Sequence, residues 1–148
     1  MISHSPSLYP TFLSLTLLGV FCARAELPPQ VYEQLKDESA ESVAIETLSV
    51  SEEVSSDAEG VKILTISVKA KILSVERSKS GLKPGDHIQV RYQVMQNAEM
   101  KVGPSEPIIV EIGKPYLAYL EKVDSTGTYR ITARGRSFCP PRSAEAGK

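Results

Sequence analysis

Past residue 25 the chain holds one histidine, His87, and one cysteine, Cys139, so few constellations capable of chemistry can be assembled. His87 follows Asp86, the pairing a general base would need. Neighbours at i and i+1 on a strand point to opposite faces, however, so the two cannot form a hydrogen-bonded couple in regular strand geometry. His87 reads as an exposed residue where a turn becomes a strand. A metal centre needs several converging nitrogen, sulfur or carboxylate ligands, and one His with one Cys 52 positions away makes no such motif. Glu52, Glu53, Asp57 and Glu59 suit a hard cation by type, but their spacing matches no EF-hand loop and they read as a solvated acidic stretch. No Gly-x-Ser-x-Gly elbow occurs, and no histidine is placed to activate a serine. Gly81, Gly85, Gly103 and Gly113 are dispersed and form no phosphate cradle. The expectation is a protein without enzymatic activity, metal or cofactor.

What remains is a set of cations spaced to share one sheet face. Lys69 and Lys71 fall on one strand, Arg91 on the next, and Arg130 and Arg134 on the last, flanked by Gln89 and Gln93. Such a stripe could receive an anionic glycan or an acidic protein patch. The plainer reading is solubility, because alternate polar residues are what a half-exposed sheet requires, and Lys and Arg also discourage edge pairing.

The N-terminus carries an export pattern. Phe12 to Phe21 is an apolar run of about ten residues, short of the roughly 18 needed to span a bilayer, followed by the small-x-small site Ala23-Arg24-Ala25. Cleavage after Ala25 leaves no membrane span and puts the protein in the periplasm or outside the cell. Lipidation at Cys22 is disfavoured, since bulky Phe21 stands where a small residue is wanted. Removing 25 residues from 148 leaves 123, enough for one domain with a real core. Losing Arg24 leaves 16 of the 17 basic residues against 18 acidic, a formal charge of −2. Nucleic acid is not the expected partner at that balance. A single mature cysteine excludes an internal disulfide and allows only a cross-link between chains.

The elements that would position these residues are mostly strands. Residues 26–41 form a polar entry segment, where Pro28 and Pro29 start a helix of at most two turns with Val31 and Leu35 as its stripe. A first strand covers Ser42 to Val50, and Ser51 to Gly60 follows as a loop. The longest strand runs from Val61 to Arg77. Its alternation of Leu64, Ile66, Val68, Ala70 and Ile72 slips phase at Val75, which predicts a bulge or bend near Leu73-Ser74. A type II turn at Leu82 to Asp86 leads into His87 to Met95. Gln96 to Pro107 is an irregular loop, Ile108 to Ile112 a short strand, and Tyr116 to Lys122 a central strand apolar on both faces. Ser125-Thr126-Gly127 turns the chain into Thr128 to Arg134, where Tyr129, Ile131 and Ala133 point inward. The domain ends at Phe138, and 139–148 read as a disordered tail. This pattern predicts an all-β fold with one short N-terminal helix, a small five-stranded antiparallel barrel.

The order of local signals resembles the netrin-like branch of the OB-fold, the group containing the tissue inhibitors of metalloproteinases. The residues that carry it are Val68-Lys69-Ala70-Lys71-Ile72-Leu73-Ser74-Val75-Glu76, Leu82-Lys83-Pro84-Gly85-Asp86-His87-Ile88-Gln89-Val90, Gly113 to Leu120 and the strand Tyr129 to Ala133. The resemblance covers roughly Val61 to Phe138 and implies a binding module on a barrel. Those inhibitors begin with a cysteine whose amine and carbonyl chelate the protease zinc. Here the mature chain begins Glu26-Leu27-Pro28, so that chelation does not carry over.

The leading expectation is an exported, non-enzymatic module that binds a protein or an anionic polymer. Two others stand beside it: a structural or assembly protein dimerising through Cys139, and a protease inhibitor acting through the Gln96 to Pro107 loop. N-terminal sequencing of the exported protein should read Glu26-Leu27-Pro28 first, and a start at Met1 or Cys22 would refute the processing expectation.

Overall fold

The computed structural model describes residues 27–96 and 105–141. The export pattern with Cys22, most of the 96–107 loop and residues 142–148 lie outside the described residues. The elements are α1 (Pro29–Glu38), β1 (Glu41–Ser56), β2 (Lys62–Ser78), β3 (His87–Gln96), β4 (Pro115–Lys122), β5 (Thr128–Ile131), a 3₁₀ turn at Arg134–Arg136, and β6 (Phe138–Cys139).

β1 to β5 close into a barrel in the order β1-β2-β3-β5-β4-β1, with β6 added on β4. The β3–β5 contact is parallel and the others are antiparallel. This corrects the all-antiparallel expectation, and the reason is topological. Five strands in a closed ring cannot alternate direction all the way round, so one neighbouring pair must run the same way.

Closure also needs bent strands. The β1–β2 register slips three times, leaving Glu76 and Leu73 of β2 and Leu48 of β1 without an opposite partner. The predicted irregularity near Leu73-Ser74 is one of these. Both bulged leucines are thrust outward, with Leu73 43% and Leu48 42% exposed. Beyond the slip, Val75 returns to pack against the core on the shifted parity.

The barrel interior is filled. Val43, Ile45, Ile66, Val68, Val90 and Leu120 are fully enclosed, and Phe138 meets Tyr92 in a tilted contact and Tyr116 edge-on, with ring centroids 5.4 and 6.2 Å away. β4 is buried on both faces, as its sequence predicts. Tyr116, Ala118 and Leu120 face the interior, while Leu117 and Tyr119 pack outside it with Ala133, Leu35 and Cys139.

Helix α1 rests beside that outer cluster and is longer than expected, ten residues or nearly three turns. Pro29 at its first turn costs no hydrogen bond there. Its far end is held from β2, where Arg77 Nη2 donates to the Lys36 carbonyl at 2.6 Å and Nε to the Ser39 carbonyl at 3.0 Å. A cation on the exposed carbonyls of a helix C-terminus also suits the helix dipole. Tyr32, rather than Val31, is the anchoring residue: it is 2% exposed, and its hydroxyl accepts from the Ser105 backbone N–H at 3.1 Å.

Other boundaries also differ from expectation. β1 continues through Ser51–Ser56, so the acidic stretch is mostly strand and the turn is confined to 57–61. Ladder bonds to β2 account for this where serine and glutamate propensity argues for a loop. Ile108–Ile112 is not a strand. Its backbone is tied by tyrosine hydroxyls instead, with Tyr92 Oη donating to Ile108 O at 2.9 Å and Glu111 N donating to Tyr116 Oη at 3.1 Å. Only Val110 of this run enters the core. β5 stops at Ile131, and Arg134 takes a left-handed φ of 47° in the following turn. Cys139 is part of β6, not of a tail, and pairs with Leu117.

Burial is the main cause that pushes the Tyr92 phenol from 10.0 up to about 12. Below pH 10 both folded and unfolded chains hold it neutral, and the stability it contributes is complete. As pH rises from 10 toward 12 the unfolded chain ionises first, so stability is lost through that window. Urea melts across this range should show a slope that is shallower in Tyr92→Phe, with a neutral-pH loss of about 1 kcal/mol for its hydrogen bond.

Candidate functional site

The outer face of β1–β2–β3 is built by strict alternation. Inward Leu64, Ile66, Val68 and Ala70 leave Thr65, Ser67, Lys69 and Lys71 outside on β2, and inward Ile88, Val90 and Tyr92 leave His87, Gln89 and Arg91 outside on β3. Register then lays rows across the sheet: Glu46, Lys71 and His87; then Ser49, Lys69 and Gln89; then Ser51, Ser67 and Arg91. Lys69, Lys71 and Arg91 therefore share one face, as their spacing predicts.

Carboxylates are threaded between these cations. Lys71 lies opposite Glu46, and Arg91 reaches Glu53 at 4.0 Å, with both side chains of the latter pair mostly exposed. Arg130 donates through Nε and Nη2 to Glu121 at 3.0 and 2.7 Å across β4–β5. Exposed pairs of this kind contribute about 0–1 kcal/mol, so they decide surface charge pattern more than stability. Arg134 lies off the strands on the 3₁₀ turn and does not join the strand face. The face is thus mixed in charge, with Lys69 its plainest cation.

The other candidates are placed as follows. His87 is exposed, and Asp86 turns its Oδ2 to the Lys83 backbone N–H at 2.8 Å instead of toward it. That bond, with Gly85 at φ 95°, forms the predicted turn, which two backbone bonds of 2.8 Å tie to Ile72. Cys139 is half-buried against the Leu117, Tyr119 and Ala133 cluster, its thiol donating to the Arg136 carbonyl at 3.4 Å. Among the described residues no three His, Cys, Asp or Glu side chains converge as a metal set, and no helix is long and apolar enough to cross a membrane.

Two features escaped sequence reasoning. Glu41 is wholly buried at one end of the barrel, on the same parity as Val43 and Ile45, which was the available signal. Its Oε1 accepts from the Ser80 N–H at 2.9 Å while Oε2 has no partner among the described residues, and Ser80 Oγ meets Tyr129 Oη at 3.0 Å. The second is a groove of about 450 Å³ between the end of α1 and β4–β5, with Leu35 and Ile131 below and Lys79, Glu38, Arg130 and Glu121 around it. Its residues come from four separated stretches, so no local pattern announces it.

Elsewhere the surface carboxylates serve turns. The Thr126 hydroxyl, then its backbone N–H, hold Asp124 below the usual carboxylate range, and the Glu111 carboxylate raises Lys114.

The sequence matches no protein-family model and no curated protein. The buried carboxylate provides a direct test of the barrel end. Glu41→Ala leaves the Ser80 N–H without an acceptor and should cost about 1–3 kcal/mol in chemical denaturation. Glu41→Gln keeps that acceptor and should cost less, and equal losses would refute the assigned role.

Proposed function

We propose that this chain is an exported, non-enzymatic binding module that recognises a protein through the outside of an OB-like barrel. The observation that carries the reading is the filled interior, where side chains from all five strands leave recognition to the outer wall. Strand order β1-β2-β3-β5-β4-β1 supports the OB-like assignment, since that fold is a five-stranded barrel whose second and third strands commonly bear the ligand face. The netrin-like assignment rests on Leu82 to Asp86 and Gly113-Lys114-Pro115, which stand at the entries to β3 and β4.

A protein is favoured over an anionic polymer because Glu46, Glu53 and Glu121 interrupt the cations. A uniform polyanion would be repelled at each interruption, whereas a protein surface can match both signs. Dimerisation through Cys139 is the weaker alternative, because the residue is half-buried against the Leu117, Tyr119 and Ala133 cluster and its thiol is turned back on the Arg136 carbonyl at 3.4 Å.

Mature protein should retain a specific protein when offered exported and envelope fractions, and a Lys69→Glu, Lys71→Glu, Arg91→Glu variant should retain it about tenfold less well or worse. Retention only of acidic polysaccharide, or unchanged retention by the folded variant, would overturn the proposal.

A further inference from the structure

β1 changes company halfway along. From Glu41 to Glu46 it is hydrogen-bonded on both sides, to β2 and to β4. Thr47 is the last residue held on the β4 side, by bonds of 3.3 Å to the Lys114 carbonyl and 2.8 Å from the Gly113 N–H. From Ser49 to Ser56 the strand pairs only with β2, and among the described residues no strand pairs with its other edge. Alternate residues of this eight-residue stretch therefore turn their N–H and C=O groups away from β2 with fixed spacing. A natural sheet usually shortens, kinks or covers such an edge.

We infer that this edge accepts an extended, basic segment of another protein as an added strand, in line with β4. The inference rests on the protein-binding reading above and names where and how one partner engages. Charge selects the occupant. Glu46 through Glu59 contains five acidic residues and no Lys or Arg. A second copy would bring the same carboxylates against each other, while Lys on the outer side of an incoming strand would meet Glu53 and leave its alternate residues on the inner side, beside Val54. Apolar groups also stand exposed along the path: Ile112 at 64% where the β4 side ends, and Val54 at 64% near the far end. A strand alternating Lys with Val thus matches main chain, charge and apolar contacts together.

The probe is an acetylated and amidated Lys-Val alternating heptapeptide, titrated into the full mature chain and followed by amide NMR. Binding should shift amides of 49–56 and slow their exchange. A Glu-Val peptide, and a Lys-Val peptide N-methylated at alternate amides, should each bind about tenfold more weakly or worse. Adjacent strand residues send their N–H groups to opposite edges, so one of Ser51→Pro and Glu52→Pro blocks the free edge while sparing the β2 ladder. Whichever stays folded and blocks the free edge should lose the peptide.

Equal binding of the N-methylated peptide would overturn the inference, because charge alone would then account for it. A concentration-dependent dimer abolished by the same proline would also overturn it, assigning the edge to a second copy. If the natural partner still binds the edge-blocked protein but not the Lys69, Lys71, Arg91 variant, the edge inference fails and the outer-face reading survives.

Discussion

The bends in β1 and β2 are what the barrel depends on. Without the unpaired residues Leu48, Leu73 and Glu76, two strands of 16 and 17 residues would make a straight ribbon that could not reach β4 and β3 at once. Each bulge sharpens the local twist and lets β1 pair with β4 through its first half while β2 pairs with β3 through its own. Leu48 and Leu73 remain exposed as a consequence, an apolar cost offset by the enclosed core that closure creates.

Closure then dictates the rest. An odd ring requires one parallel contact, and the short β5 supplies it beside β3. β4 must face the interior while its other side lies open, and α1, Ala133 and the β6 segment cover that side. Gly135 serves the same end of the molecule, since a Cβ there would collide with the Ser105 carbonyl. Ser105 is in turn held to the Tyr32 hydroxyl, so the helix, the chain entering the 105–112 segment and the 3₁₀ turn are tied at one place.

The charge pattern follows from register as much as from composition. Cations spaced at i and i+2 share a face by strand periodicity, but which carboxylates stand beside them depends on pairing between distant strands. Glu53 comes near Arg91 because β1 extends past the expected end at Val50, and Glu121 meets Arg130 because β4 and β5 form a hairpin. The same extension leaves the acidic edge of β1 without a strand partner among the described residues, so one feature both tempers the basic face and provides the edge on which the inferred strand addition rests.

Sequence alone determined which residues of β2 and β3 face inward, that β4 is apolar on both faces, the slip near Leu73, the turn at Lys83 to Asp86 and the common face of Lys69, Lys71 and Arg91. All of these are local, because side-chain alternation and turn chemistry act over a few residues. Tertiary structure decided that Ser51–Ser56 is a strand, that Ile108–Ile112 is not, that Glu41 is interior and that β3 and β5 run parallel. Each depends on a partner far away in the chain: a ladder from β2, hydroxyls from Tyr92 and Tyr116, the Ser80 amide, and the closure of the ring. Backbone hydrogen bonds are satisfied wherever a partner is brought, and intrinsic propensity yields when that partner is in place.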